Sequence, residues 1–252
     1  MNYDQRKAYI LNSIRSKDYI LVNNLIEEMN ASPATIRRDL VKMESEGVIR
    51  RSRGKIFLHN QIKVPKFFLR QSMQDDEKSL IGKKATELIE EGDTIIIDSG
   101  TTTLAFAYQL RDFHMLTVLT NSIPVAYVLG DTEIDTYVCG GFQEDMALVD
   151  ESAVSYFENR RVKKAFLGAS GVNGEIGLSV TSSLQMPVKK KMAEAADKVY
   201  VLLDSSKFNI TGISTFLDFS DIDGIVTSKK IQNQKLLDRL DQLGVAVYYS
   251  EG

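Results

Sequence analysis

The chain has 252 residues, 26% of them charged and 43% hydrophobic, with a formal net charge of −3; this excludes general disorder and fits one large domain or two smaller ones. A single cysteine, Cys139, excludes an intramolecular disulfide and a cysteine-built zinc cluster, and two scattered histidines, His59 and His114, do not suggest a metal site, so neither metal nor cofactor is expected. No apolar run approaches the roughly 18 residues of a membrane span and no signal-type apolar core follows the polar start, so a cytoplasmic protein is the expectation.

The charge is unevenly placed. Residues 1–60 hold 11 Lys and Arg against 7 Asp and Glu, a balance of +4, so the remainder carries −7. A basic end on an acidic body points to a polyanionic partner for the small end.

In chain order, Ile10, Leu11 and Ile14 predict a helix over 6–14, and Val22, Leu25, Ile26 and Met29 a second. Ser32 suits an N-cap and Pro33 the first position of a third helix, whose buried face is Ile36, Leu40 and Met43; Gly47 is its expected stop. Extended runs at 48–51 and 55–58 flank the turn Ser52-Arg53-Gly54. This order predicts a winged helix-turn-helix over 1–58, with the third helix in the DNA major groove. The candidate DNA-binding residues are Ser32, Thr35, Arg37, Arg38 and Lys42 of that helix and its cap, with Arg50, Arg51, Arg53 and Lys55 of the hairpin. Seven basic residues against three acidic ones between 32 and 58 favour DNA over a protein-binding winged helix.

A connector is expected over 59–76. Pro65 blocks regular structure there, while Phe67, Phe68 and Leu69 are apolar enough to dock on the second domain. From 77 to 252, strands at 93–98, 116–119, 135–138, 165–169, 198–203, 224–227 and 246–249 alternate with helices at 79–90, 102–110, 123–129, 147–159, 186–196 and 232–243. That alternation predicts an α/β domain with a mainly parallel sheet and helices on both faces. Its ligand is expected at the carboxyl ends of the strands.

Five small or hydroxylated loops follow those strands. The first is Asp98-Ser99-Gly100-Thr101-Thr102-Thr103, where free helix N–H groups and hydroxyls suit an anion. Thr120-Asn121-Ser122, Gly140-Gly141 and Gly168-Ala169-Ser170-Gly171 follow, and then Asp204-Ser205-Ser206-Lys207 with its cation. One shared pocket for an anionic, hydroxyl-rich ligand is favoured over five independent turns.

The run Ser32-Pro33-Ala34-Thr35-Ile36-Arg37-Arg38-Asp39-Leu40, followed by Gly47-Val48-Ile49-Arg50-Arg51, resembles the DeoR-type bacterial transcription regulators. So do Phe67-x-x-Arg70, Glu77-Lys78, the loops above, Phe166 to Val172, Val188-Lys189 and Asp204-Ser205-Ser206-Lys207-Phe208, in order along nearly the whole chain. The resemblance implies a DNA-binding repressor, usually of a sugar-use operon, controlled by a phosphorylated sugar. It also implies a homodimer or homotetramer and a sensor fold shared with ribose-5-phosphate isomerase and coenzyme A transferases. The effector residues taken from it and from the loops are Asp98, Ser99, Gly100, Thr101, Thr102, Thr103, Thr120, Asn121, Ser122, Gly140, Gly141, Gly168, Ser170, Lys189 and Lys207.

Two departures stand out. Arg53-Gly54-Lys55 replaces the family's usual His-Gly-Gly wing turn, and Leu148-Val149-Asp150 replaces Leu-Val-Gly. A carboxylate at 150 is expected to repel a phosphate or select a hydroxyl pattern. The alternative reading is an isomerase-like enzyme fused to a DNA-binding domain. Where the isomerase has Gly-Ala-Asp-x-x-Asp, this chain has Gly168-Ala169-Ser170-Gly171-Val172-Asn173, and the isomerase's glutamate base falls on Lys189. A cation is a poor base at neutral pH, so a sensor is favoured, with Glu175 keeping the enzyme reading open. A regulator whose second domain only oligomerises is a further alternative.

Overall fold

A computed structural model describes residues 3–15, 20–29, 31–45, 49–52, 54–58 and 67–250. It divides into two units, Met1–Lys63 and Val64–Gly252.

The first unit is helical with a small sheet. Helix α1 (Tyr3–Arg15) precedes strand β1 (Ile20–Leu21), α2 (Val22–Met29), α3 (Pro33–Ser45), β2 (Ile49–Ser52) and β3 (Lys55–Leu58). Ile10 and Ile14 of α1 meet Leu25 of α2 and Ile36, Leu40 and Met43 of α3 in one core, all fully buried, as their helical spacing requires. The hairpin β2–β3 is antiparallel, with Ile49 and Ile56 closing the core. The sequence pattern did not disclose β1, a two-residue strand that pairs with β3 and makes the sheet three-stranded. Two residues carry no readable periodicity. Gly47 and Arg53 lie outside the described residues, as do residues 59–66 of the expected connector.

The second unit begins with α4 (Phe67–Gln71) and α5 (Asp75–Thr86). Phe67 enters the core, but Phe68 and Leu69 are 66% and 63% exposed, so only one of the three apolar residues docks as expected. Then come β4 (Thr94–Ile97), α6 (Thr101–Gln109), β5 (Thr117–Thr120), α7 (Ile123–Leu129) and β6 (Asp135–Val138). A hairpin of β7 (Phe142–Glu144) and β8 (Ala147–Val149) leads to α8 (Glu151–Glu158). The helix expected over 147–159 therefore starts four residues late. Asp145 and Met146 turn the chain through left-handed backbone, and Asp150 caps the shorter helix. Next are β9 (Val162–Gly168), β10 (Gly171–Asn173), β11 (Gly177–Val180), α9 (Gln185–Glu194) and β12 (Ala196–Leu203). The chain closes with β13 (Ser214–Asp218), β14 (Gly224–Thr227), α10 (Gln234–Gln242) and β15 (Ala246–Tyr249).

Seven strands form one wholly parallel sheet in the order β15-β14-β12-β9-β4-β5-β6. A smaller antiparallel sheet of β10, β11 and β13 stands apart from it. The parallel strands read as unbroken apolar runs because both faces are covered. In β4, Ile96 joins the core on one face while Ile95 and Ile97 join the core on the other, following the strand's twofold alternation. Strand order reverses between β4 and β9. Chain order runs outward from β4 through β5 and β6, then restarts at β9 on β4's other side. The crevice at such a switch point is where sheets of this kind bind ligands.

Candidate functional site

In the first unit, the Ser32 hydroxyl accepts the Thr35 N–H at 3.2 Å and meets the Thr35 hydroxyl at 2.8 Å, so Ser32 caps α3. Arg37 and Arg38 are exposed one turn in, while Asp39 turns inward and pairs with Arg6 of α1 at 2.5 Å. That pair locks α3 against α1 and leaves the two arginines to the outer face. Lys42 lies over the Tyr3 ring, 3.9 Å from its centre. Arg51 has a structural partner as well. Its Nε donates to Glu44 at 2.8 Å, and its backbone N–H donates to the same carboxylate at 2.9 Å. Glu44 thus ties the hairpin to the end of α3, which the sequence alone did not indicate. Lys55 sits opposite Ser52 at the start of β3.

In the second unit, the loops after β4, β9 and β12 converge at the switch point. A cleft of about 60 Å³ is lined by Arg70, Ser99, Gly100, Thr101, Thr102, Gly168, Ala169, Ser170, Gln185, Lys189, Leu202 and Lys207. Eight of these are expected effector residues. Thr103 lies behind them as a buried brace. Its hydroxyl accepts the Gly100 N–H at 2.7 Å and donates to the Asp98 carbonyl at 2.6 Å, shaping the start of α6. Asp98 is fully buried beneath the cleft and pairs with Lys189, whose ammonium also donates to the Gly168 carbonyl at 2.9 Å. Lys207 is less committed, since its nearest carboxylate, Asp204, is 3.9 Å away.

The remaining expected residues do not reach the cleft. The Thr120 hydroxyl donates to the Ile97 carbonyl at 2.6 Å and accepts the Ser122 N–H at 3.0 Å. Asn121 donates to the Leu148 carbonyl at 3.1 Å, and the Ser122 hydroxyl caps α7 through Val125. Gly140 and Gly141 are exposed at the end of the edge strand β6. The β5 loop is instead committed to the Ile97 carbonyl, the Leu148 carbonyl and the start of α7, and β6 lies at the edge of the sheet. The five loops share one sheet edge but not one pocket.

Asp150 is also clear of the cleft. It stands at φ 93°, a backbone region that glycine favours, and its carboxylate accepts the Ser152 N–H at 2.8 Å and the Phe142 N–H at 2.9 Å. Burial alone would raise its pKa, but these amide hydrogen bonds lower it. The expected repulsion of a phosphate therefore has no geometric basis. Gly141 answers it from across the hairpin, where a Cβ would collide with the Val149 carbonyl. Glu175 is exposed in the β10–β11 turn and does not line the cleft.

Arg70, Ala169, Gln185 and Leu202 were not among the expected site residues. Arg70 arrives from α4, paired with Asp145 at 2.8 Å across 75 positions of chain. No local pattern announces so distant a pairing. Its neighbours Glu77 and Lys78 are structural: Lys78 donates to the carbonyls of Arg70 and Met73, and burial lowers its pKa. Glu77 accepts hydrogen bonds from Ser205, Ser228 and Lys229, anchoring α5 to the loops after β12 and β14. Among the described residues no cluster suits a metal ion, and no helix is long and apolar enough to cross a membrane.

Comparison with known proteins bears on both units. The DeoR-like helix-turn-helix domain matches residues 6–61, and the DeoR C terminal sensor domain matches residues 73–229. The HTH-type transcriptional repressor GlcR of Bacillus subtilis (strain 168) is 33% identical over 255 residues, covering 100% of this chain and 98% of the relative. The lactose phosphotransferase system repressor of Staphylococcus epidermidis (strain RP62A) is 29% identical, covering 93% and 96%. Among solved structures, a D-ribose-5-phosphate isomerase in complex with phospho-erythronic acid aligns with a TM-score of 0.40 at 18% identity, over 53% of this chain and 54% of that one.

Proposed function

Given that the chain belongs to the DeoR family of transcription regulators, we propose that it represses a sugar-utilisation operon and is controlled by a phosphorylated sugar bound in the switch-point cleft. The observation that carries this reading is the meeting of three features at one point. The amino end of α6 presents its first-turn amides at Thr101 and Thr102. Arg70 and Lys207 supply cations, and hydroxyls surround them from Ser99, Thr101, Thr102 and Ser170. Helix amides with nearby cations suit a phosphate, and hydroxyls suit a polyol. Two relatives are named as repressors, one of them of a lactose phosphotransferase system, which accords with a sugar-linked operon here.

Operator DNA is then read by Thr35, Arg37 and Arg38 at the start of α3, with phosphate contacts from Lys42 and the basic hairpin of Arg50, Arg51, Arg53 and Lys55. The active species is a homodimer or homotetramer. An isomerase activity has less support: Lys189 is paired with Asp98 where a base is needed, and Glu175 does not line the cleft.

The test is isothermal titration of a panel of sugar phosphates into the full chain with and without operator DNA. Linkage requires that a sugar phosphate which weakens DNA binding be weakened by DNA to the same extent, typically about 5–150-fold. Equal sugar affinity in both titrations would show that the cleft does not control DNA binding.

A further inference from the structure

Two demands meet on the Arg70 guanidinium. It lines the cleft beside Gly100 and Lys207, and it is also ion-paired with Asp145, with Nη2 to Oδ2 at 2.8 Å. The other oxygen of that carboxylate accepts the Phe67 N–H at 2.8 Å. One side chain thus holds the first amide of α4 and the arginine one turn on. The far end of α4 is secured separately, by Lys78 on the carbonyls of Arg70 and Met73. Asp145 therefore secures the end of α4 that follows residues 59–66 and the DNA-binding unit along the chain.

Three further observations make this contact exchangeable. Arg70 Nε is buried with no hydrogen-bond partner among the described residues, so the guanidinium has donor capacity left over. The cleft encloses about 60 Å³, against about 300–1,000 Å³ for ordinary small-molecule sites, so a sugar phosphate needs one wall to move. The carboxylate is carried on a tight turn, with Asp145 at φ 47° and Met146 at φ 70°, and not on a long loop that would follow the arginine.

We propose that Asp145 is the built-in competitor for the effector's anionic group: it holds Arg70 in the closed cleft and yields it when a phosphate arrives. Release of Arg70 removes the cation that aims Asp145, which loosens the Phe67 amide and with it the leading end of α4. The exchange is one anion for another at the same guanidinium. It rests on the effector reading given above.

The experiment uses the full chain and three probes: inorganic phosphate, glucose 6-phosphate and fructose 1-phosphate. Each is titrated into wild type, Asp145→Asn, Arg70→Gln, the double variant and Lys207→Ala. Asparagine keeps an oxygen for the Phe67 amide and tolerates left-handed backbone, so Asp145→Asn is expected to fold. It should bind the best probe about 10-fold more tightly, the worth of one hydrogen bond to a charged group. That gain should vanish when Arg70 is also replaced. In wild type, a saturating probe should speed hydrogen exchange at the Phe67 amide, a measurement that needs no variant.

Unchanged or weaker binding by Asp145→Asn, together with loss of binding in Lys207→Ala, would overturn the competitor role and leave the pocket standing. Unchanged exchange at Phe67 in saturated wild type would do the same. Binding of no probe by any protein, or full binding by Lys207→Ala, would overturn the pocket and the competitor together.

Discussion

Asp98 and Lys189, 91 residues apart in sequence, form an ion pair sealed beneath the strand ends; Asp98 is fully buried and the Lys189 side chain is 5% exposed. The Asp98 carboxylate also accepts the Gly168 N–H at 2.9 Å, and the Lys189 ammonium donates to the carbonyl of the same glycine. The pair therefore staples β4, β9 and α9 together at the point where the sheet reverses its order.

Breaking that pair from one side should be costly, because it leaves the fully buried Asp98 charge unpaired. Lys189→Met is expected to lower stability by about 3–5 kcal/mol. Adding Asp98→Asn should recover most of that loss. Urea unfolding midpoints of wild type, the single variant and the double variant check this. Equal midpoints for wild type and Lys189→Met would show that the ion pair does not hold the sheet together.

Asp150 gives a second stability prediction. Its φ of 93° is strained for any residue with a side chain, yet its carboxylate caps α8 and holds the Phe142 amide. Asp150→Ala keeps the strain and loses the cap, so it should destabilise by about 1–2 kcal/mol. Asp150→Gly loses the same cap but relieves the strain, so it should cost less. Thermal unfolding of the two variants decides, and ligand affinity should change in neither, because Asp150 does not line the cleft.

These examples mark what a sequence can disclose. The buried faces of α1 and α3 and the apolar runs of β4, β9 and β12 are legible because burial repeats at 3.6 or 2 residues, or fills a strand outright. The Gly100 and Ser170 loops are legible because small and hydroxylated residues after a buried strand have few other uses. Strand order is not written locally. Thr120-Asn121-Ser122 has the same composition as a binding loop, and only its hydrogen bonds with Ile97, Leu148 and Val125 mark it as structure. Arg70–Asp145 and Asp98–Lys189 depend on that long-range order too.

Glu77 carries the pH prediction. Burial alone would raise its pKa, but hydrogen bonds from Lys229, from the amide and hydroxyl of Ser205, and from the Ser228 hydroxyl override this and hold it at about 2, against an ordinary 4.5. A carboxyl whose folded pKa is depressed contributes stability above its unfolded pKa and loses it as pH falls through the folded one. The Glu77 contribution should thus be complete above about pH 5 and decline down to about pH 2. The stability gap between wild type and Glu77→Gln should narrow over that window in urea titrations. A gap that stays constant down to pH 2 would place the cost in the amide's geometry instead.

The proposed DNA interface separates two kinds of arginine. Arg37 and Arg38 are exposed near the capped start of α3, where a recognition helix meets base edges. Replacing either with alanine should cost about 1–3 kcal/mol of operator binding if it reads a base, and should flatten discrimination at that base pair. Arg51 is held by Glu44 through its side chain and its own amide. A phosphate must compete with that carboxylate for the guanidinium, so Arg51→Ala should weaken operator and random DNA alike, and by less. Glu44→Gln frees Arg51 and removes a negative charge near the hairpin, so it should strengthen binding to both DNAs and steepen the salt dependence. Mobility-shift titrations of the four variants at two salt concentrations test the division. A loss of sequence preference in Arg51→Ala, with wild-type behaviour in Arg37→Ala and Arg38→Ala, would move recognition from α3 to the hairpin.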